Sequence, residues 1–172
     1  MSHPATRTAP PAPGSSDPGG FAPAAAFGFD VDFGHVEPIT IYFDDLDAMG
    51  FVHNARYPVL FERAVTPYWA ARGHSFTQGR PSQPDLFHAV REMSVTYHAP
   101  IRGTGWIAVH FWLERFGRSS AEYGLQVRSA DGSVLHAEGR RSIVRLDPAT
   151  LRPTPWTESA REIAHPLLRQ PN

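Results

Sequence analysis

The chain has 172 residues, of which 41% are hydrophobic and 19% charged, and its formal net charge is −1; this balance is typical of one globular domain. Without a basic excess we expect no nucleic-acid partner, and without cysteine neither a disulfide, a thiolate nucleophile nor a cysteine-bound metal is possible. No apolar run is long enough to cross a bilayer and the N-terminus carries no signal-peptide pattern, so we expect a cytoplasmic protein without a membrane partner.

A segment rich in proline, alanine and glycine, residues 1–34, precedes the part of the chain that shows regular patterning. Such a composition buries too little apolar surface to offset the entropy of ordering it, so we expect a flexible tail. Phe27, Phe29 and Phe33 are the residues through which this tail could dock on the domain. We therefore divide the chain into a tail, residues 1–34, and one domain, residues 35–172.

The domain should begin with one strand and one long helix. Period-two alternation of apolar residues predicts a strand from about Val36 to Asp44. Apolar residues then recur at spacings of three and four over residues 57–71, which predicts a helix. His53 or Asn54 is placed to cap its start.

Two features interrupt this pattern. Pro67 removes one hydrogen bond of the predicted helix at a cost of about 3 kcal/mol, so we expect a kink or break near Thr66. Residues 74–86 are rich in polar residues, glycine and proline, which predicts a loop.

Four more strands should follow between residues 88 and 146, each with alternating apolar positions. In the last of them the alternation changes phase, which predicts a β-bulge near Gly139. A short helix capped by Thr157 or Ser159 should end the domain. One helix and five strands predict an α+β fold with the sheet wrapped on the helix, and because one helix covers one face only, we expect a dimer.

Three carboxylates, those of Asp44, Asp45 and Asp47, stand in the loop before the predicted helix. Free N–H groups at a helix start can polarise a thioester carbonyl and stabilise its oxyanion. A carboxylate beside them can attack that carbonyl or activate water. Aspartates at such a position also serve as plain turn and capping residues, so the residues alone leave both roles open.

The stretch from Tyr42 to Tyr57 resembles the active-site motif of the 4-hydroxybenzoyl-CoA thioesterase branch of the hotdog-fold superfamily. The matching residues are Phe43, Asp45, Asp47, Gly50, Asn54, Tyr57 and the segment 61–64. The resemblance implies a hotdog fold, in which a five-stranded antiparallel sheet wraps around one long central helix. It implies a hydrolase that cleaves the thioester of an acyl-CoA or an acyl carrier protein, without a cofactor. It also implies a homodimer or a homotetramer built as a dimer of dimers.

Carried over residue by residue, the resemblance makes Asp47 the catalytic nucleophile or general base. Asp45 takes the position that holds the loop, and Gly50 allows the tight turn and the close approach of substrate. The backbone amide near Asn54 would donate to the oxyanion.

One departure from the family motif concerns a histidine. Relatives carry it directly after the glycine, where this chain has Phe51, whereas here it stands two places later as His53. Phe51 would line the acyl pocket, with Tyr57 as a further substrate contact. His53 would orient Asp47, bind substrate or cap the helix.

Two further segments resemble ligand-binding parts of the family. Residues 97–104 resemble a turn in which an arginine or a small hydroxyl residue lies near the ligand. Residues 115–120 resemble the segment that holds the phosphates or the pantetheine of coenzyme A, which assigns ligand contact to Arg118 and Ser119. Arginine suits phosphate because its donors form a bidentate fork; such residues are also common as solvated hairpin charges.

Two alternatives remain beside the thioesterase. A hotdog hydratase or dehydratase would pair Asp47 with His53, although Met49 stands where those enzymes have asparagine. The other alternative is an acyl-CoA-binding protein without catalysis. The nine histidines form no metal-binding pattern, so we expect no metal. No residue identifies the acyl group.

Overall fold

The computed structural model describes residues 30–169. Its main sheet has five strands, all antiparallel to their neighbours, in the order β1-β5-β6-β7-β4. These strands are β1 (His35–Ile41), β4 (His88–Tyr97), β5 (Gly105–Phe116), β6 (Ser120–Ser129) and β7 (Leu135–Arg145). The long helix is α1 (Tyr57–Ala70), a short helix α2 spans Glu158–Ala164, and a small hairpin joins β2 (Phe76–Thr77) to β3 (Arg80–Pro81).

The core lies between α1 and the concave face of the sheet. Helix α1 buries six side chains of one stripe: Tyr57, Leu60, Phe61, Ala64, Val65 and Tyr68. Against this stripe the sheet packs the odd-numbered residues 107–113 of β5 and 121–127 of β6, all of which are buried. The α+β architecture of five antiparallel strands wrapped on one helix is therefore confirmed.

Helix α1 does not break at Pro67, so the predicted break near Thr66 is wrong. Pro67 lies in the last turn of the helix, which runs on to Ala70. A proline there removes a single hydrogen bond close to an end that is already short of partners. After Ala70 the chain leaves the helix through the turn 71–73, in which Gly73 has a φ of +89°.

The segment 74–86 is not a plain loop as predicted, since it contains the hairpin β2–β3 and a turn of 3₁₀ helix, Pro84–Leu86. Gln78 and Gly79 have positive φ angles and make the tight turn of this hairpin. The proposed cap of the last helix is correct: the Thr157 hydroxyl accepts a hydrogen bond from the Ala160 N–H at the start of α2.

The predicted bulge near Gly139 is also wrong. The register between β6 and β7 shifts at His136, because Val127 pairs with Ala137 while Arg128 pairs with Leu135. Beyond this shift the inward positions of β7 are odd-numbered, and its buried residues are Ala137, Arg141 and Ile143. The apparent change of phase arises because the inward position 141 carries an arginine rather than an apolar residue.

The convex face of the sheet is partly covered by the segment before β1. The ring of Phe33 contacts those of His110 and Trp112, both on β5, with centroids 5.4 Å apart in each case. The Phe33 carbonyl also accepts a hydrogen bond from Nε2 of His110 at 2.8 Å. Phe33 therefore docks on the sheet; Phe27 and Phe29 lie outside the described residues.

Strand β4 forms one edge of the sheet and is largely exposed along its ten residues. Val90 and Tyr97 are about half exposed. A long exposed edge presents unpaired backbone groups to any strand that can pair with it.

Candidate active site

The loop that carries Asp47 is a tight hairpin, residues 46–52. The Asp47 N–H donates to the carbonyl of Phe51 at 2.7 Å, and the Gly50 N–H donates to the carbonyl of Asp47 at 3.0 Å. Gly50 has φ +76°, a conformation that favours glycine. A Cβ added at Gly50 would meet no atom within 4 Å. Glycine is therefore favoured here by the backbone conformation of the turn and not by a close contact within the chain.

The Asp47 carboxylate is half-buried and held by the backbone of its own loop. Its Oδ1 accepts hydrogen bonds from the N–H groups of Met49, at 2.8 Å, and Phe51, at 3.1 Å. Among residues 30–169 no group donates to Oδ2. One carboxylate oxygen therefore fixes the side chain while the other is left for a further partner.

Asp45 is fully buried and ties this loop to helix α1. Its Oδ2 accepts from Nη1 of Arg63 at 2.8 Å and from the Tyr42 N–H at 3.0 Å, and its Oδ1 lies 3.5 Å from Nε of Arg56. Burial raises the pKa of Asp45, but the hydrogen bonds from Arg63 and Tyr42 and the charges of both arginines outweigh it, so that this pKa lies below its ordinary value. Asp45 thus acts as an ionised anchor for the loop.

The start of the helix is a turn of 3₁₀ helix, Asn54–Arg56, that runs directly into α1. Nδ1 of His53 accepts a hydrogen bond from the Ala55 N–H at 3.1 Å, so His53 caps this turn. Of the roles foreseen for His53, the structure therefore shows capping. Within the described part of the chain no group accepts from the N–H of Asn54, which is the expected state of a first helical residue.

Two tyrosines pack beside this helix start. The Tyr97 hydroxyl donates to the carbonyl of Asn54 at 3.2 Å, and the Tyr97 ring meets that of Tyr57 edge-on with centroids 4.9 Å apart. Burial is the main cause that raises the pKa of Tyr57, and the neighbouring Tyr97 raises it further. Tyr57 is 4% exposed and belongs to the core, which leaves it little surface for substrate within one chain.

The segment after β4 pairs with the Asp47 hairpin. The Val52 N–H donates to the carbonyl of Ile101 at 3.0 Å, and the Gly103 N–H donates to the carbonyl of Gly50 at 2.9 Å. The Arg102 guanidinium lies 4.8 Å from the centroid of the Phe51 ring, within the range of a cation–π contact. Residues 97–104, which resemble a ligand-binding turn of the family, therefore adjoin the Asp47 loop.

An open pocket of about 290 Å³ lies at this helix start. Its walls include Asn54 and Tyr57 on one side and Tyr97 and Pro100 on the other. Asp47 does not line the pocket itself; its neighbour Leu46 pairs across the loop hairpin with Val52, which does. The arrangement brings a carboxylate, a helix start with a free N–H and a cleft together in one part of the chain.

Arg118 and Ser119 lie at the other end of the sheet from this site. They form the turn between β5 and β6, whereas the Asp47 loop adjoins the Gly105 end of β5; a strand of this length separates its ends by about 35 Å. The carbonyl of Arg118 accepts from the Trp156 N–H, and that of Ser119 accepts from the Arg145 N–H. One chain therefore does not bring these two residues to Asp47.

Several residues of the site were not foreseen from the sequence. Arg63 and Arg56 hold Asp45, and Arg102 covers Phe51. Arg63 lies within the segment 61–64 of the family motif, but at the position that the motif leaves unspecified. Its partner Asp45 became visible only once the helix and the loop were placed together.

No group of three or more His, Asp or Glu side chains within residues 30–169 is arranged to hold a metal ion. None of the helices in the same range has both the length and the hydropathy that a membrane span requires.

The order of elements, with an aspartate loop at the start of the one long helix, defines an α+β protein of the hotdog type. The family model described as "Thioesterase superfamily" matches residues 49–136, just over half of the chain. The chain therefore belongs to the thioesterase superfamily, and the predicted enzyme class, an acyl thioester hydrolase, is confirmed.

Individual relatives agree with this membership. The chain is 28% identical over 116 residues to "Acyl-CoA thioester hydrolase YbgC" of Escherichia coli O6:H1, an alignment that covers 67% of this chain and 84% of that protein. Among solved structures, the PA5185 protein of Pseudomonas aeruginosa superposes with a TM-score of 0.68 at 27% identity, covering 79% of this chain and 92% of that one. A Thermus thermophilus thioesterase complexed with coenzyme A and Zn superposes with a TM-score of 0.64, also at 27% identity, covering 80% and 96%.

Proposed function

We propose that this protein hydrolyses acyl-CoA thioesters and that Asp47 is its catalytic carboxylate. The substrate class is suggested by the curated relative named an acyl-CoA thioester hydrolase and by the similar thioesterase that was solved with coenzyme A. The single observation that supports Asp47 is its geometry. One carboxylate oxygen is fixed by two backbone N–H groups, and the other has no donor among the described residues.

The proposed chemistry needs only groups of this loop and of the helix start. As a general base, Asp47 takes a proton from water while the water oxygen adds to the thioester carbon. The tetrahedral intermediate then expels the thiolate, which leaves as the thiol after taking that proton. As a nucleophile, the carboxylate adds to the same carbon and releases the thiolate, and water then hydrolyses the mixed anhydride. In both routes the Asn54 N–H would donate to the oxyanion.

The family resemblance also allows an acyl carrier protein as the thiol half of the substrate. Both substrates present the same pantetheine thioester, and they differ in the large body that must reach the enzyme surface. The acyl group itself is not specified by any residue of the loop.

A dimer through β4 would complete this site. Strand β4 is a ten-residue exposed edge, and a two-fold axis beside it would pair β4 with the same strand of a second copy in antiparallel order. Antiparallel pairing places the Tyr97 end of one strand beside the His88 end of the other. The Arg118–Ser119 turn lies on the His88 side of the fold, so the partner's copy of this turn would approach the Asp47 loop.

In this arrangement Arg118 and Ser119 would bind the phosphates or the pantetheine of a coenzyme A whose thioester lies at the other subunit's Asp47. The side chain of Arg118 is exposed and forms no hydrogen bond or ion pair with another described residue, which would let its guanidinium pair with phosphate. A tetramer would join two such dimers. The cytoplasmic location and the division into a tail, residues 1–34, and a domain, residues 35–172, stay predictions.

The hydratase alternative has less support, because His53 uses Nδ1 to cap the helix start rather than to contact Asp47. A panel of thioesters tests the proposal: short, long, branched and aryl acyl groups on coenzyme A and on a carrier protein, assayed for thiol release, with enoyl-CoA hydration followed in parallel. Thiol release from at least one acyl-CoA supports the proposal. Hydration without thiol release, or tight acyl-CoA binding without turnover, contradicts it and favours one of the two alternatives.

A further inference from the structure

Tyr97, the last residue of β4, reaches the helix start that carries the proposed oxyanion donor. Its hydroxyl donates to the carbonyl of Asn54 at 3.2 Å, and its ring meets that of Tyr57 edge-on. Tyr97 and Asn54 both line the open pocket of about 290 Å³ at this helix start. Tyr97 therefore joins the sheet to the turn of 3₁₀ helix that precedes α1.

Two peptide groups meet at Asn54, and each of them is held by hydrogen bonds. The first contains the His53 carbonyl and the Asn54 N–H, and its carbonyl accepts from the Arg56 N–H at 2.8 Å. The second contains the Asn54 carbonyl, which accepts from the Tyr97 hydroxyl. The N–H of this second group belongs to Ala55 and donates to Nδ1 of His53 at 3.1 Å. Because a peptide group is planar, a bond at its oxygen also restricts the direction of its N–H.

Of these bonds, the one from Tyr97 comes from outside the helix start. The others lie within the turn and move with it. Tyr97 is fixed to the sheet, since it pairs with Ala137 of β7 and the next two N–H groups, those of His98 and Ala99, both donate to the carbonyl of His136. Removal of the Tyr97 hydroxyl would release the turn from the sheet at this point and leave the internal bonds of the turn intact.

We propose that Tyr97 is a positioning residue, which aims the Asn54 N–H at the oxyanion of the thioester reaction. This inference rests on the proposed function, because it takes that N–H, which has no acceptor among residues 30–169, as the oxyanion donor. Such a donor stabilises the transition state only if it points at the position that the oxyanion will occupy, and small displacements of a catalytic group lower the rate strongly. Tyr97 acts through the backbone of Asn54 and not on the reacting atoms.

A positioning role predicts a specific pattern of losses. The negative charge on the thioester oxygen develops in the transition state, so a misdirected donor lowers kcat and leaves KM nearly unchanged. Tyr97 is half exposed, so water can bond to the Asn54 carbonyl once the hydroxyl is removed, and the fold loses little stability. A purely structural hydrogen bond would show the opposite pattern, with a lower urea midpoint and normal turnover.

Kinetics of Tyr97→Phe test the proposal, because this change keeps the ring against Tyr57 and removes the hydroxyl alone. We expect kcat for acyl-CoA hydrolysis to fall about tenfold, less than the loss of a whole oxyanion donor, with KM changed by less than about twofold. Tyr68→Phe is the matched control: it removes a hydroxyl that donates to the carbonyl of Ile163 at 3.0 Å, about three turns further along α1. The control should keep the wild-type kcat, whatever its urea midpoint.

Amide NMR spectra of the same variants measure the donor without turnover. The amide proton signals of Asn54 and Ala55 should shift in Tyr97→Phe and stay in place in Tyr68→Phe, because a bond to a carbonyl polarises the N–H groups linked to it. The proposal is overturned if Tyr97→Phe keeps the wild-type kcat, if its loss appears in KM alone, if Tyr68→Phe loses as much turnover, or if neither amide signal moves. A wild type that releases no thiol from any acyl-CoA overturns the proposed function instead, and the amide signals then decide whether Tyr97 holds the helix start.

Discussion

Arg63 donates from Nη1 to Oδ2 of Asp45 over 2.8 Å and so joins the second turn of α1 to the loop that holds Asp47. Asp45 is fully buried and its backbone carbonyl also accepts from the His53 N–H at 2.9 Å. The loop is therefore fastened to the helix on both sides of Asp47, by a side chain before it and by the cap of the helix after it. A carboxylate placed two residues from such an anchor keeps its position relative to the helix start.

Replacing Asp45 by asparagine should lower the free energy of unfolding by about 1.5–3 kcal/mol, because the charge-assisted hydrogen bond with Arg63 is lost. Urea denaturation at neutral pH measures this. Asp44→Asn is the matched control, since Asp44 is exposed and its ion pair with Arg56 lies at the surface; that change should alter stability by less than about 1 kcal/mol. Equal effects of the two substitutions would refute the anchoring role of Asp45.

The same pair gives the stability of the protein a pH dependence of known sign. The pKa of Asp45 is lower in the folded protein than in the unfolded chain. Its contribution is therefore present above the ordinary aspartate pKa of about 4 and is lost as the pH falls through the folded value. Stability measured from neutral to acid pH should fall less steeply for Asp45→Asn than for the wild type. Parallel curves would show that Asp45 does not carry this dependence.

Replacing Gly50 or Gly73 by alanine should introduce similar backbone strain, one in the Asp47 loop and the other after helix α1. Both have positive φ, +76° and +89°, and an added Cβ would meet no atom within 4 Å at either position. Alanine should cost about 1–2 kcal/mol of stability at each, from backbone strain alone. Only Gly50→Ala should also reduce kcat for acyl-CoA hydrolysis, since it alters the turn that sets Asp47. If Gly73→Ala impairs turnover as much, loss of stability rather than loop geometry explains the effect.

A mixture of two inactive variants tests whether the site is shared between subunits. If Asp47 of one subunit works with Arg118 of the other, a heterodimer of Asp47→Asn and Arg118→Ala contains one intact site. Refolding the two variants together should then restore about a quarter of the wild-type rate at low acyl-CoA concentration. A mixed sample that is no more active than the average of its two components would mean that Arg118 does not act across the dimer.

The regular parts of the fold were predictable because their apolar residues alternate without interruption. Strands β5 and β6 and the stripe of α1 follow the expected pattern, and Thr157 caps α2 as predicted. The wrong predictions arose where a single residue type was interpreted without its position in the element. Pro67 costs little near a helix end, and Arg141 hides the inward phase of β7 because an arginine is rarely buried.

The site was predictable only in part, for a related reason. The Asp47 loop, Gly50 and the helix start follow each other in the chain, so a local motif contains them. The partners that fix them come from elsewhere: Arg63 from the second turn of α1, Arg102 and Tyr97 from the segment after β4. Three roles were left open for His53, namely orienting Asp47, binding substrate and capping the helix, and the cap became visible only through the hydrogen bond that its ring nitrogen accepts from the Ala55 N–H.

Turnover of acyl-CoA by Asp47→Asn tests the central claim most directly. Asparagine keeps the shape of the side chain and an oxygen that can accept from the Met49 and Phe51 N–H groups, so the loop should stay in place while the charge is lost. We predict that kcat/KM falls by about 10²–10⁴-fold while the urea midpoint stays close to that of the control Asp44→Asn. The control changes an exposed aspartate of the same segment and should retain wild-type activity. An Asp47→Asn protein that hydrolyses acyl-CoA at the wild-type rate would contradict the assignment of Asp47 as the catalytic carboxylate.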